Sequence, residues 1–284
     1  MKVLILGGEG MAGHLLFDYL ASRTMHEVWC TARSSRETAH SLRLDVRDEG
    51  ELSRVLAREP WDVVVNCAGI LNQSAENDVR AALEVNSLLP HRLVHLAKSI
   101  GYRLIHISTD CVFSGKTGGY REDAIKDGTS VYAKTKSLGE IDQALHLTIR
   151  TSIVGPEIRQ SGIGLLHWFM QRSGTIPGYT NVWWNGVTTL VLAQFIEMEL
   201  TSSLCGLVHL CQPNAISKHS LLTLFRETFG REDVDIVPND EVVLDRTIQS
   251  TRLDVSPPSL SYEDMMGELK EWIFTHRGGY GYGC

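Results

Sequence analysis

A short apolar run from Lys2 to Leu6 breaks directly into Gly7-Gly8-Glu9-Gly10-Met11-Ala12-Gly13, and a helical apolar pattern through Leu15, Leu16 and Leu20 follows. Strand, glycine turn and helix in that order leave a chain few ways to fold. The turn aims backbone N–H groups and a helix N-terminus at one point, an arrangement suited to a pyrophosphate. The glycines Gly7, Gly10 and Gly13 are spaced GxxGxxG rather than GxGxxG. An ordinary tight turn before a helix is the competing reading, and the strand–helix setting argues against it.

The alternation continues. Strands are expected at His26–Thr31, Ser41–Val46, Trp61–Asn66 and Arg103–Ile107, with helices near Glu49–Ala57 and Val79–Ser99 between them. A repeating strand–helix chain of this kind predicts an α/β fold with a doubly wound parallel sheet of Rossmann type, followed by a smaller mixed C-terminal lobe. Residues 1–155 form the expected dinucleotide-binding domain, completed by about 185–212, while 156–184 and 213–284 form the expected substrate-binding lobe. Later elements are a strand at Leu207–Leu210 and helices near Leu190–Leu200, His219–Phe229 and Tyr262–Thr275; Asp254–Pro258 reads as a loop.

At 284 residues and 43% hydrophobic side chains, the chain can bury a sizeable core. The net charge of -7 argues against a generic nucleic-acid-binding surface. The apolar start is too short for a signal-peptide core, and the uncharged stretch Ser173–Ile196 carries Pro177, Asn181 and Asn185, which suits no membrane span. Six scattered cysteines without a CxxC pair fit the reduced thiols of a cytoplasmic protein. His91 and His95, four apart on a helix, lack a third ligand, so no metal site is expected. Helical apolar faces are compatible with a homodimer and equally with core. The tail, Arg277 to Cys284, is too glycine-rich to hold structure alone.

Chemistry concentrates in Ile107–Glu140. Tyr132 and Lys136, four apart at the opening of a helix, share one face. A nearby ammonium is expected to lower the Tyr132 pKa toward working pH, making the phenol an acid for a reduced carbonyl. Alone, YxxxK recurs by chance, and a surface Tyr with a solvated Lys is the competing reading. Thr109 sits at the end of the preceding strand, where ligands bind in an open α/β sheet. After the second strand no acid awaits a ribose 2′-hydroxyl; Arg33 stands there instead, in Ala32-Arg33-Ser34-Ser35-Arg36, and its planar donor fork favours NADP over NAD. A solvent-facing loop arginine is the alternative.

The offset glycines resemble the extended branch of the short-chain dehydrogenase/reductase superfamily. Ser108-Thr109-Asp110-Cys111-Val112-Phe113-Ser114-Gly115, Gly119-Tyr120-Arg121-Glu122-Asp123 and YxxxKxxxE at Tyr132, Lys136 and Glu140 make the chain similar to the dTDP-4-dehydrorhamnose reductase family. That resemblance runs on through Ile149-Arg150-Thr151-Ser152 and Asn185-Gly186-Val187-Thr188-Thr189-Leu190. It implies an NAD(P)H-dependent 4-ketoreductase of a nucleotide-linked sugar: Tyr132 the proton donor, Thr109 on the carbonyl oxygen, Lys136 on the nicotinamide ribose. It further implies that Asp45-Val46 meets the adenine, that Asn66-Cys67-Ala68-Gly69 lies along the ribose, and that Met11 belongs to the glycine loop. Asn66 itself reads as chiefly structural. Asp110, Trp184 and Asn185 are the expected substrate contacts besides Thr109, although either tryptophan of Trp183-Trp184 also suits an inter-domain core. Cys111 replaces the acid that related 4,6-dehydratases carry, which disfavours elimination. The stretch Gly162–Met170 departs from the rhamnose-forming enzymes, so a UDP-linked 2-acetamido-4-ketohexose is as admissible as a dTDP-6-deoxyhexulose. Two rivals stay open: an epimerase, and a non-catalytic subunit resembling the regulatory subunit of methionine adenosyltransferase.

Overall fold

The computed structural model describes residues 1–34, 38–256, 259–276 and 280–282. Ser35 and Arg36 of the Arg33 loop, Pro257-Pro258, and the tail residues 277–279 and 283–284 lie outside them. Seven strands form the central sheet: β1 (Lys2–Leu6), β2 (Glu27–Ala32), β3 (Ser41–Arg43), β4 (Val63–Asn66), β5 (Arg103–Thr109), β6 (Leu147–Thr151) and β7 (Gly206–Leu210). Their order across the sheet is β7-β6-β5-β4-β1-β2-β3, and every pair is parallel. Strand order reverses between β1 and β4, so the loops leaving those two strands part and open a crevice.

Apolar runs explain the sheet. Val3 to Leu6 and Val63 to Val65 are fully buried because helices cover both faces, as a parallel sheet requires. One face packs on α1 (Met11–Arg23) and α5 (Thr189–Glu199); the other packs on α2 (Glu49–Ala57) and α3 (Leu89–Ile100). Helices α4 (Val131–Leu138), α6 (Lys218–Phe229) and α7 (Tyr262–Thr275) complete the set used below. A capping box at Ser261 and Asp264 fixes the start of α7.

Three departures from the sequence reading fall near the cleft. Strand β3 stops at Arg43, because Asp48 N–H turns back to the Asp45 carbonyl and ends the extended run. The expected helix over 79–99 is instead a short helix at Val79–Ala82, a π-helical stretch at Leu83–Leu88, and α3. A wide turn there swings the Asn86 side chain into the core. The helix at Asn72–Asn77 was absent from the sequence expectation.

Beyond β6 the chain builds small sheets. Ile153–Val154 pairs with Val187–Thr188, and Gly174–Tyr179 pairs in parallel with Val234–Asn239. Trp183 and Trp184 pair with Ser217 and Ile216, while Leu244–Asp245 flanks the other side of that strand. These pairings deliver the start of α6 and the 244–248 segment to the C-terminal end of β5.

Candidate functional site

At the switch point, Gly7, Gly10, Arg33, Asp45, Val46, Cys67, Ala68 and Gly69 all line one cleft, together with Glu9 and Arg159. Gly7 has φ +83°, and a Cβ there would press on the Ala68 backbone at 2.9 Å. A Cβ on Gly13 would overlap the Gly7 carbonyl. The first loop can therefore lie against Ala68 only with glycine at position 7, and fold back on itself only with glycine at position 13. Helix α1 begins at Met11 with Gly10 as its cap; no side chain caps it and no acid occupies its first turn. Its N-terminal end is left suited to an anion. Asp45 is bound by Arg47 at 2.6 Å, which holds its carboxyl below the usual range. Arg33 is exposed at the cleft edge, near enough to Glu9 and Asp45 to favour their ionised forms.

Asn66 donates toward the His106 ring on β5 and accepts from Ala68 N–H at 3.1 Å, so it braces the turn from beneath. Asn86, brought in by the π-helical stretch, accepts from Ile70 N–H and donates to the Ile70 carbonyl and to Thr135 Oγ1. It thereby fastens the loop after β4 to α4, the helix carrying Tyr132 and Lys136. Ser130 caps that helix by accepting from Ala133 N–H.

The structure brings Thr109, Asp110, Tyr132 and Lys136 together at the end of β5. Electrostatics there differ from the sequence expectation. The Lys136 ammonium donates to the Ile107 carbonyl at 2.6 Å, and burial brings its pKa down to about 8, opposed by Glu140. Tyr132 is not eased toward its phenolate. Burial pushes its pKa well up, Cys111 and Asp110 add to the rise, and only Thr109 opposes it. The Lys136 ammonium bonds a backbone carbonyl rather than the phenol, and burial of the phenol is the largest influence on Tyr132.

Thr109 Oγ1 accepts from Cys111 N–H and gives its single hydrogen to Asp110 Oδ1 at 3.1 Å. A carbonyl oxygen seeking that hydrogen would compete with Asp110. Asp110 is itself perturbed: burial raises its pKa, while Ser152, Lys218 and Arg246 stabilise its ionised form.

Lys218 and Arg246 were missed from sequence. Lys218, the first residue of α6, has its pKa lowered to about 8 by burial, with Asp110 opposing, and its Nζ lies 5.2 Å from the centre of the Trp184 ring. Arg246 donates to the Phe113 carbonyl at 3.1 Å and approaches Cys111 Sγ. Both lie more than a hundred residues from Thr109, and no local spacing marks them.

Trp184 and Asn185, expected as substrate contacts, are both buried beside the site. Trp184 is 3% exposed, against 41% for Trp183, and backs Lys218 from the core side. Asn185 spends both amide hydrogens on the Gln212 and Ile248 carbonyls and accepts from Ile248 N–H. It is a brace between chain segments. His91 is exposed and bonds the Leu138 carbonyl; among the described residues no cluster suits a metal ion.

Sheet order, cleft and second lobe define a Rossmann-type α/β protein whose ligand crevice lies at the switch point. The chain belongs to the RmlD substrate binding domain family, which it matches over residues 1–169. It is 32% identical over 142 residues to a dTDP-4-dehydrorhamnose reductase of Mycolicibacterium smegmatis, covering 49% of this chain and 40% of that protein. It is 31% identical over 140 residues to the methionine adenosyltransferase 2 subunit beta of Bos taurus, covering 49% and 41%. The match thus spans about two fifths of the length of these two curated relatives. Among solved structures, a hypothetical dTDP-4-dehydrorhamnose reductase from Sulfolobus tokodaii is 26% identical with a TM-score of 0.76, covering 93% of this chain and 99% of that one. A Bacillus anthracis dTDP-4-dehydrorhamnose reductase in complex with NADP shares the fold at TM-score 0.80 and 18% identity, covering 96% and 99%. Among the described residues no helix is long and apolar enough to cross a membrane.

Proposed function

We propose that the protein is a cytoplasmic NADP-dependent oxidoreductase that reduces the C4 ketone of a dTDP- or UDP-linked 4-ketohexose. The convergence of Thr109, Tyr132 and Lys136 beside the glycine-lined cleft carries this reading. In it, residues 1–155 with about 185–212 hold the cofactor, and the remaining segments hold the sugar. Gly7, Gly10, Met11 and Gly13 cradle the pyrophosphate, and Arg33 takes the 2′-phosphate. Asp45 and Val46 meet the adenine; Cys67, Ala68 and Gly69 lie along the ribose. When bound, the nicotinamide supplies a hydride.

The residues do the rest. A phenol with a raised pKa is fully protonated at neutral pH, so Tyr132 enters the reaction holding the proton that a developing alkoxide takes. Lys136, with a pKa near 8, sits close to working pH; it binds the nicotinamide ribose and favours the phenolate once the proton has left. Thr109 orients the carbonyl oxygen when its hydrogen leaves Asp110. Lys218 and Arg246 supply positive charge to the nucleotide's phosphates.

The test mixes purified protein and NADPH with a panel of dTDP- and UDP-linked 4-ketohexoses and follows absorbance at the nicotinamide band. Oxidation with one member names the substrate class. Silence across the panel, with NADPH binding measured separately, defeats the reductase reading. The similarity to the methionine adenosyltransferase subunit favours a second reading, a non-catalytic NADP-binding regulatory subunit. Retention of Tyr132, Lys136 and Thr109 together favours the enzyme.

A further inference from the structure

The glycine loop contains a carboxylate, Glu9, where a dinucleotide would bring several negative charges. Burial works against its ionised form, yet Ser34 and Arg159 hold it below the usual carboxylate range. Arg159 comes from the segment after β6 and binds Glu9 Oε2 at 2.6 Å. Both side chains are partly exposed, so the pair adds little to stability. Its consequence is charge balance: an uncompensated Glu9 within a Debye length of the phosphates would oppose their binding.

The segment carrying Arg159 is fastened from the chain's far end. Tyr282 Oη accepts from Glu157 N–H and also meets His167 Nδ1, each at 2.9 Å. The Glu157 carboxylate accepts from Gly164 N–H at 2.5 Å and so closes the 157–164 turn. Tyr280, 7% exposed, stacks near Tyr282 and reaches His14 Nε2 at 3.1 Å. His14 Nδ1 faces the Gly10 carbonyl at 2.8 Å, which can only accept. Nδ1 therefore carries the ring proton, Nε2 accepts, and Tyr280 donates. Burial keeps that imidazole neutral. The two terminal tyrosines thus grip the glycine loop from both sides, through His14 to Gly10 and through the 157–164 turn to Glu9.

We propose that Arg159 and the Tyr280–Tyr282 segment are part of the dinucleotide site, a latch that neutralises Glu9 and holds the glycine loop in its binding conformation. This rests on the cofactor reading above. The test titrates NADPH against nicotinamide fluorescence for the full-length wild type, Arg159→Ala, Arg159→Ala/Glu9→Gln, and Tyr280→Phe/Tyr282→Phe. Arg159→Ala is expected to raise the Kd at least tenfold, and the added Glu9→Gln to bring it back within threefold of wild type. An Arg159→Ala protein binding like wild type, or a Glu9→Gln that deepens the defect, overturns the charge-balance role. Hydrogen exchange without cofactor provides a separate reading: amides of residues 7–13 and 157–164 should exchange at least tenfold faster in the double tyrosine variant, with exchange in β4 and β5 unchanged. Equal exchange in variant and wild type sinks the latch. A wild type that binds no NADPH defeats the cofactor reading and with it the latch's part in the site, and the exchange result then judges the grip alone.

Discussion

Ser108 and Thr109 are neighbours on β5, and strand alternation sends their side chains to opposite faces. Ser108 donates to Glu140 at 2.7 Å, entering a buried cluster in which Glu140 takes two hydrogen bonds from Arg150 and one from Lys126. Arg150 also lies over the Phe113 ring and meets His209, whose pKa burial and the neighbouring guanidinium bring down to about 4. Burial works against the Glu140 carboxylate, but its partners prevail and hold it below the usual range. Thr109 enters the other cluster, where Asp110 and Tyr132 are pushed up and Lys136 and Lys218 down. In one cluster the buried carboxylate is matched by cationic partners and is held ionised. In the other every shift runs toward neutrality. The first arrangement holds strands together, and the second gathers groups with perturbed protonation at one point, as sites of acid–base chemistry do.

That contrast can be broken experimentally. Glu140→Ala would leave Arg150 buried without its carboxylate and should lower stability by about 3–5 kcal/mol in denaturant unfolding. A loss under 1 kcal/mol would show that the matched cluster is not structural. Tyr132→Phe should reduce turnover at least ~10²-fold while NADPH binding survives and the unfolding midpoint barely moves. Unchanged turnover would remove Tyr132 from its role. The neighbouring pair sharpens the comparison further. Ser108→Ala should cost about 1.5–3 kcal/mol of stability, as for a hydrogen bond to a charged group, with turnover within twofold. Thr109→Val should cost about 1 kcal/mol through its lost cap on Cys111 N–H, and turnover should drop at least tenfold. Equal activity losses in the two would erase the distinction between the faces.

The smallest effect is in pH. The folded Lys136 pKa, about 8, lies below its ordinary 10.5, so between those values the unfolded chain holds the extra proton. Stability therefore rises with pH across that window, and the wild type should gain melting temperature relative to Lys136→Met from pH 8 to 10. A constant difference would mean that Lys136 titrates normally.

Much of the first half was legible because its signals are local. Gly7 and Gly13 mark a turn that a side chain would block, and Val63 to Val65 mark a strand buried on both faces. Helix α2 at Glu49–Ala57 coincides with its expected range, aided by Asp48 accepting from Glu51 N–H at its cap. The site was legible to the level of which residues meet. Which way their hydrogens and charges point was not, since the partners of Lys136 and Thr109, Ile107 O and Asp110, are set by how the helix docks on the sheet. Lys218 and Arg246 reach Asp110 and Cys111 through tertiary pairing of small sheets, which leaves no spacing to read. The bonds of Asn185 to Gln212 and Ile248 were hidden for a related reason: its partners lie 27 and 63 residues away.

The placement of β7 bears on how the chain acquires its shape. Strand β6 ends at Thr151, but its outer partner is not made until Gly206–Leu210. During synthesis the nascent sheet therefore carries an open flank through the whole intervening segment, with unpaired peptide groups able to recruit another extended chain. A fragment ending near residue 169, where the family match stops, would keep that flank permanently and should be prone to aggregation.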